Sequence, residues 1–203
     1  MTTIFLGVED DLSESTARAV LRVVFGASVE LRRLHGKRAG GFGQIQKNIL
    51  KYMNLAAQYP VLLVTDLDTW ACPPALIAEW FGGRGIPSSM SFRVAVREIE
   101  AWLLADTDGF ADYVGVSRRA VPTDVDSLAD PKSTLISLAK KGRREIRAEI
   151  VPGKRNHSPQ GLGYNTVLSH FVEEKWSATV ASNNSESLKR AISDLARLKS
   201  NYV

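Results

Sequence analysis

The chain has 203 residues, of which 44% are hydrophobic and 24% charged, and no apolar run approaches the ~20 residues that cross a bilayer, so we expect a folded cytoplasmic protein without membrane association. Its single cysteine, Cys72, excludes an intrachain disulfide and a cysteine-based zinc site, and we expect the thiol to be buried. The net charge of +4 is uneven, because residues 1–115 carry 11 Lys and Arg against 13 Asp and Glu, whereas residues 116–203 carry 15 against 9.

The first predicted strand is the short apolar stretch at residues 4–8, which leads directly into Glu9, Asp10 and Asp11. Apolar residues at a helical period then predict a helix over residues 12–25, and Asp11 and Glu14 have the spacing of a capping box. We therefore assign Asp11 and Glu14 mainly to capping. Glu9 is left at the strand end as a candidate ligand.

A glycine-rich basic loop at residues 36–43 follows a second predicted strand of mixed polarity at residues 28–35. The loop matches neither the nucleotide-binding P-loop nor the dinucleotide fingerprint. Its Lys37 and Arg38 are nevertheless candidate phosphate contacts. An amphipathic helix is then expected over residues 45–57, ended by Tyr59 and Pro60.

The most informative stretch is Val-Leu-Leu-Val-Thr-Asp-Leu-Asp-Thr at residues 61–69. Its apolar half predicts a strand buried on both faces, and Asp66 and Asp68 stand at the carboxyl end, where open α/β sheets bind ligands. Residues i and i+2 of a strand point to the same side, so the two acids repel each other unless a hard cation such as Mg²⁺ or Mn²⁺ lies between them. Alternatively, one aspartate is a turn former or helix cap, because Pro73 and Pro74 indicate a nearby helix start.

Acidic residues follow a third predicted strand as well. Residues 73–81 predict a helix closed by two glycines, and residues 91–96 predict a strand that leads to Glu98 and Glu100 before the next helix. The alternation of strands and helices implies a parallel sheet, in which carboxyl ends share one edge. We therefore expect the acids after the three strands to converge.

This arrangement resembles a known family. Glu9 after the first strand, followed by the Asp66-x-Asp68 pair after a later strand, is similar to the signature of Toprim domains, found in topoisomerases, bacterial primases and the overcoming-lysogenization-defect nucleases. The stretches at residues 8–14 and 97–106 are more particularly similar to small prokaryotic Toprim-like proteins. One departure is Asp10, which stands where many Toprim domains have glycine, the residue that adopts positive φ without cost.

The resemblance implies an α/β fold for residues 1–115, with a Toprim-like parallel sheet of about four strands flanked by helices. The charge and the helical periodicity of residues 116–203 predict a smaller, basic, mainly helical C-terminal region. It also implies that Asp66 and Asp68 bind Mg²⁺ or Mn²⁺, that Glu9 is a metal ligand or general base, and that Glu98 or Glu100 completes the site. The implied catalytic set is Glu9, Asp66, Asp68 and Glu100, and the implied metal ligands are Glu9, Asp66, Asp68 and Glu98.

The basic half of the chain carries the candidate nucleic-acid contacts. Residues 140–155 hold seven cations and two acids, which favours phosphate binding, although a solvated basic surface is the more common outcome. The cations are Lys140, Lys141, Arg143, Arg144, Arg147, Lys154 and Arg155. His157 is a further candidate phosphate contact.

Asp124 and Asp126 repeat the Asp-x-Asp spacing without a preceding strand, so we interpret them as turn and cap residues. Residues 185–198 predict an amphipathic helix that covers a core.

Two functions stay open at this point. The first is a Mg²⁺-dependent, Toprim-like nuclease or phosphoryl-transfer enzyme that acts on nucleic acid, DNA rather than RNA, with the basic cluster neutralising backbone phosphates. The resemblance implies a place for such a protein in an anti-phage defence or toxin system. The second is a non-catalytic nucleic-acid or protein binding module that works with a partner such as an ATPase.

Overall fold

A four-stranded, all-parallel sheet forms the centre of the protein in a computed structural model that describes residues 2–27, 29–34, 43–153 and 158–202. The strands are arranged in the order β2-β1-β3-β4. Their bounds are β1 Thr2–Gly7, β2 Val29–Arg33, β3 Val61–Asp66 and β4 Met90–Ala95. The predicted α/β class, with a parallel sheet of about four strands flanked by helices, is confirmed.

Helices connect the strands and make up the described C-terminal part of the chain. Their bounds are α1 Asp11–Phe25, α2 Gln44–Lys47, α3 Ile49–Ala56, α4 Pro73–Phe81, α5 Ile99–Ala105, α6 Thr107–Val114, α7 Pro131–Ala139, α8 Arg144–Ile150, α9 Tyr164–Glu174, α10 Ala178–Ala181 and α11 Glu186–Ser200, with a 3₁₀ turn at Arg118–Ala120. Within the described ranges, no helix combines the length and the apolar character that crossing a bilayer requires.

Helix α1 begins one residue earlier than the capping-box pattern indicates. Asp10 is the N-cap, in extended conformation with φ −145°, and its carboxylate accepts a 2.7 Å hydrogen bond from the Ser13 amide. The assignment of Asp11 as the cap was therefore wrong, and Glu14 instead forms ion pairs with Arg18 and Arg33. Many Toprim domains have glycine at the position of Asp10. Because an N-cap residue needs no positive φ, aspartate suits this position.

Two other local predictions were also wrong. The helix expected over residues 45–57 is divided into α2 and α3 at Asn48, whose side-chain amide donates to the Gln44 carbonyl at 2.9 Å and competes with the helical pattern. The thiol of Cys72, expected to be buried, is exposed just before α4. Helix α4 itself has the predicted bounds, with proline at its start and Gly82 in the left-handed conformation at its end.

Hydrophobic cores cover both faces of the sheet. One core lies on the face of Val61 and Leu63 and includes residues of α3 and α4. The other includes Ile4 and Leu6 of β1 together with residues of α1, α5, α9 and α11. The strand β3 is therefore buried on both faces, as its continuous apolar sequence predicts.

Residues on both sides of position 115 contribute to one core. Phe171 and Leu195, from α9 and α11, are buried in the same cluster as Leu21 of α1. Helix α11 also contacts the edge strand β4, where the Ser91 hydroxyl donates a 2.6 Å hydrogen bond to Asp194. The basic C-terminal region is thus helical in its described part and packs directly on the α/β region; the domain boundary at residue 115 stays a prediction.

Candidate functional site at the carboxyl edge of the sheet

Carboxylates from three strand ends gather at one edge of the sheet. Glu9 follows β1, Asp66 ends β3 and Asp68 follows it, and Glu100 lies in the first turn of α5, just after β4. The hydroxyl of Thr65, next to Asp66, donates a hydrogen bond to Glu9, and the charges of Glu100, Glu9 and Asp68 all raise the pKa of Asp66. The convergence expected from a parallel sheet therefore holds for these four residues.

Asp66 is the central carboxylate of this group. Its pKa is held well above the ordinary value by burial and then by the negative charges of Glu100, Glu9 and Asp68. Its Oδ1 accepts a 2.9 Å hydrogen bond from the Ile99 amide at the start of α5. Asp66 thus caps a helix and faces other acids at once, so the structural and the functional interpretations of this residue are compatible.

Glu9 is partly buried beside the end of β3. The hydroxyl of Thr65 donates a hydrogen bond to Glu9 Oε1, and the Thr65 side chain is itself buried. Burial raises the pKa of Glu9, the bond from Thr65 lowers it, and the charge of Asp68 raises it, with a net upward shift. A carboxyl group whose pKa is raised toward neutrality is a better proton acceptor at physiological pH.

The loop that carries Asp68 is fixed by the loop after β4. The Asp68 amide donates to the Arg97 carbonyl at 3.0 Å, and the Arg97 guanidinium donates to the carbonyls of Asp68 and Trp70 at 3.0 and 2.8 Å. Asp68 has φ +49°, the left-handed region that few residues other than glycine adopt. Burial raises the pKa of Asp68, while the positive charge of Lys132 lowers it.

Glu98 and Glu100 have different partners, which separates two residues that the sequence left as alternatives. Glu98 accepts a 2.9 Å hydrogen bond from the Lys132 amide, at the start of α7, and therefore caps that helix. Glu100 is only 2% exposed and is the strongest of the acids that raise the pKa of Asp66. Glu100 thus belongs to the carboxylate group around Asp66, whereas Glu98 lies at its margin.

Two residues from the C-terminal region complete the surroundings of Glu100. The Tyr164 hydroxyl donates a 2.8 Å hydrogen bond to Glu100 Oε1, and the Lys132 ammonium lies 3.5 Å from the same oxygen and 4.0 Å from Glu98. Burial lowers the pKa of Lys132, but Glu100, Glu98 and Asp66 outweigh it and raise that pKa. The other Glu100 oxygen, Oε2, is buried without a hydrogen-bond partner in the described structure.

Sequence reasoning missed both Lys132 and Tyr164. Each stands more than 30 residues from the nearest acid of the group along the chain, so no spacing rule connects them. A signal did exist for Lys132, because the preceding Asp130 and Pro131 are typical of a helix start, and the Asp130 carboxylate caps α7 by accepting from Ser133 at 2.7 Å. Only the packing of α7 against α5 directs this helix start to the acidic edge.

The chemistry of the group suits a hard cation, with one qualification about its arrangement. Crowded carboxylates with raised pKa values and an unpartnered Glu100 oxygen are what a divalent ion would stabilise. In the described ranges, however, no three His, Cys, Asp or Glu side chains are arranged so that they could hold an ion together. Mg²⁺ commonly uses one or two carboxylates and several waters, so a pair of these acids is sufficient for the fit.

The basic residues form an exposed surface beyond the far end of α7. Lys140, Lys141, Arg143, Arg144 and Arg147 are all exposed, from the end of α7 into α8. Arg143 also donates to the Tyr113 carbonyl at 3.3 Å, which anchors α8 to α6. Four further candidates, Lys37, Arg38, Lys154 and Arg155, lie outside the described residues, as does His157.

Asp124 and Asp126, the second Asp-x-Asp pair, were interpreted as turn and cap residues, and the structure confirms this for Asp126. Its carboxylate accepts a 2.8 Å hydrogen bond from the Ser187 amide and so caps α11, and it also accepts from the Ser185 hydroxyl at 2.8 Å. Asp124 is exposed. Asp126 therefore has a capping role, and the exposed Asp124 offers a control of the same spacing for Asp66 and Asp68.

No family model, curated protein or solved structure matches this chain. The Toprim resemblance of the sequence therefore stays a hypothesis, although a four-stranded parallel sheet flanked by helices is consistent with it. What the protein does must be argued from the acidic edge itself.

Proposed function

We propose that the protein is a Mg²⁺- or Mn²⁺-dependent enzyme that cleaves or transfers phosphodiesters of nucleic acid, with DNA as the preferred substrate. The observation that carries this proposal is the crowding of Glu9, Asp66, Asp68 and Glu100 at the carboxyl edge of the sheet, where Lys132 lies 3.5 Å from Glu100. Such repulsion is a cost to folding that ordinary structural roles do not explain. It becomes useful when a cation binds.

The metal would be held by a pair of these acids, Asp66 and Asp68, with water molecules completing its coordination and Glu100 adding negative charge beside them. When bound, the ion would supply charge stabilisation for the attacking and leaving oxygens of a phosphodiester. Glu98 is engaged with the start of α7, so we assign it a supporting part through Lys132. This division follows from the engagement of Glu98 with α7 and from the negative charges that surround Asp66.

Glu9 is the best candidate for the general base. It lies beside Asp66, its Oε1 is oriented by the Thr65 hydroxyl, and its raised pKa brings it closer to the pH at which it would have to accept a proton from water. Lys132 has a protonated amine whose charge is partly exposed, and it can contact a non-bridging phosphate oxygen. Both roles use groups that already face the carboxylates.

Helix α7 connects the acidic edge to the basic surface. Lys132 lies at its start and Lys140 directly follows its end, and at 1.5 Å per residue the two are roughly 12 Å apart along the helix axis. A duplex strand carries one phosphate for about every 3.4 Å of its axis, so the distance from Lys132 to Lys140 corresponds to about three to four phosphates. A strand whose scissile bond lies at the carboxylates could therefore reach Lys140, Lys141 and Arg144 downstream.

Cleavage of plasmid DNA with Mg²⁺ or Mn²⁺ tests the proposal. We expect nicking by the purified protein that is lost in the double variant Asp66→Ala with Asp68→Ala and kept in Asp124→Ala, which removes an exposed acid of the same spacing. Lys140→Ala with Lys141→Ala should weaken DNA binding and reduce its dependence on salt concentration. Nicking that persists in the Asp66 and Asp68 double variant would remove the metal assignment.

A second candidate function is a non-catalytic nucleic-acid or protein binding module, which works with a partner such as an ATPase. It is favoured by the lack, in the described part of the chain, of any ready arrangement of three metal-ligating side chains. The prediction that distinguishes it is binding of single-stranded DNA, duplex DNA or RNA without turnover when Mg²⁺ is present. In that case addition of the partner would be needed before cleavage appears, and a place in anti-phage defence or a toxin system would rest on that assembly.

A further inference from the structure

The outer edge of β2 has a self-complementary pattern of charge and backbone orientation. In the order β2-β1-β3-β4, β2 and β4 are the two edge strands, and β4 is contacted by α11. Among the described residues, no strand pairs with the outer side of β2. An unpaired strand edge presents free amides and carbonyls, which makes it a template for another strand.

The orientation of the backbone identifies which residues of β2 are free to pair. The Leu34 amide donates to the Leu6 carbonyl of β1 at 2.8 Å, so the backbone groups of Leu34 point toward β1. Successive residues of a strand direct their backbone groups to alternate sides, so the amides and carbonyls of Glu30 and Arg32 also point toward β1. Val29, Leu31 and Arg33 therefore present their amides and carbonyls to the outside.

We propose that β2 pairs with β2 of a second copy of this chain, antiparallel about a twofold axis at Leu31, and that the two sheets join into one of eight strands. In this register, Leu31 faces Leu31 of the second copy as a hydrogen-bonded pair, for which its outward backbone groups are correctly placed. Glu30 faces Arg32 of the second copy and the reverse, as non-hydrogen-bonded pairs, in which side chains approach most closely.

Charge selects this register over its neighbours. An antiparallel twofold pairing can shift only in steps that keep outward residues opposite outward residues. A shift in one direction places Glu30 opposite Glu30, and a shift in the other places Arg32 opposite Arg32, and like charges directly opposite each other are destabilising. Within each copy Arg32 lies 3.1 Å from Glu30, which also accepts a 3.0 Å hydrogen bond from the Thr3 hydroxyl, and both charged side chains are exposed, so the pair can extend into a four-residue charge network.

A cavity beside β2 gives the apolar side of the interface a place to pack. It has a volume of about 230 Å³ and lies between the end of α1 and the strand, lined by Leu21, Arg22, Val29 and Leu31 among others. Val29 and Leu31 are only partly buried although they pack against the main core. A second copy of Leu31, on the same face of the extended sheet, would cover this cavity and remove that apolar surface from water.

Association of the full chain, measured by sedimentation equilibrium, tests the pairing. We expect a dimer for the unmodified protein, and dimer dissociation constants at least about tenfold higher for Glu30→Arg and for Arg32→Glu, because each single variant sets like charges opposite each other at two symmetric positions. The double variant Glu30→Arg with Arg32→Glu should restore the dimer. Circular dichroism and thermal unfolding would verify that each variant stays folded.

Mixing the two single variants separates effects between copies from effects within one copy. Glu30→Arg carries two arginines on this face and Arg32→Glu carries two glutamates, so a mixture should form a heterodimer that neither variant forms alone. Leu31→Pro removes an amide that points outward, and it should abolish the dimer without breaking a bond to β1. The proposal would be overturned if the unmodified protein is a monomer, or if these substitutions do not change the dissociation constant of the dimer. The strand β2 would then be an edge protected by its charges.

Discussion

The Tyr164 hydroxyl donates a 2.8 Å hydrogen bond to Oε1 of Glu100, which joins the basic C-terminal region to the acidic edge of the sheet. Both side chains are almost fully buried, with exposures of 1% for Tyr164 and 2% for Glu100. Glu100 could not keep its place beside Asp66 without this donor and Lys132, because a buried carboxylate that lacks partners is strongly unfavourable. The helix α9 that begins at Tyr164 is therefore part of the site and not merely its cover.

Loss of this hydroxyl should weaken the fold measurably. We expect Tyr164→Phe to lower the free energy of unfolding by about 1–3 kcal/mol, because Glu100 would lose a donor in a buried position. Tyr113→Phe is the matched control, since its hydroxyl donates a 2.9 Å bond to the Val167 carbonyl, which is neutral and lies within a helix. The free energy of unfolding of Tyr113→Phe should fall by about 0.5–1.5 kcal/mol. Urea unfolding measures both, and equal small losses would show that Tyr164 does not support the carboxylate.

The pH dependence of stability should reveal the crowded acids. Burial raises the pKa of Glu9, Asp66 and Glu100 in the folded protein, above ordinary values of 4.5, 3.8 and 4.5. The folded state then binds protons more tightly than the unfolded chain, so these groups stabilise the fold at low pH and lose that effect as pH rises through their folded pKa values. In metal-free buffer, the Tm should therefore rise as pH falls from neutrality through these raised pKa values.

Asp66→Asn provides the control for this pH dependence. The amide removes the acid whose pKa is raised most clearly by its neighbours, so the rise in Tm on acidification should become smaller, and the variant should be more stable than the unmodified protein at neutral pH. Asp124→Asn, at an exposed position, should leave the pH profile unchanged. A Tm that falls steadily in the unmodified protein as pH is lowered from neutrality would contradict the raised pKa values.

Lys132 should contribute to stability much more than the lysine after the other end of the same helix. We expect Lys132→Met to cost about 1–3 kcal/mol near neutral pH, less than for a fully buried pair because the Lys132 side chain is 33% exposed. The loss should shrink as pH falls through the raised pKa of Glu100, because the protonated carboxyl no longer attracts the ammonium. Lys140→Met, which removes an exposed cation, should change the free energy of unfolding by less than about 0.5 kcal/mol.

The elements of the sheet could be predicted because each depends on a local pattern. The continuous apolar run of β3 and the proline and glycine limits of α4 are readable from a few adjacent residues. The meeting of Glu9 with Asp66 could also be predicted, since parallel strands share their carboxyl edge. Lys132 and Tyr164 could not, because their positions depend on how α7 and α9 pack against distant elements.

The choice between Glu98 and Glu100 illustrates the same limit. Glu98 precedes the start of α5 and Glu100 lies in its first turn, so the side to which each points depends on a boundary that the sequence places only within one or two residues. Their roles were decided by long-range partners: the start of α7 engages Glu98, and Tyr164 engages Glu100. Sequence spacing alone held no information about either partner.

The backbone of Asp68 offers a final test of whether the site is kept for function. Among the described residues it is the only one other than glycine with positive φ, and it also adds charge beside Asp66. Asp68→Gly relieves both costs and should raise the free energy of unfolding by up to about 1 kcal/mol, whereas Asp124→Gly, at ordinary φ, should lower it by about 0.5–1 kcal/mol through the flexibility of the unfolded chain.

The same Asp68→Gly variant should lose the function that its aspartate serves. Addition of Mg²⁺ should raise the Tm of the unmodified protein and of Asp124→Gly, and it should have little effect on Asp68→Gly, because a ligand stabilises a fold only as far as it binds the folded state. A variant that gains stability and loses its response to the ion would show that the strained aspartate is retained for binding and not for folding. An undiminished response to Mg²⁺ would instead exclude Asp68 from the metal site.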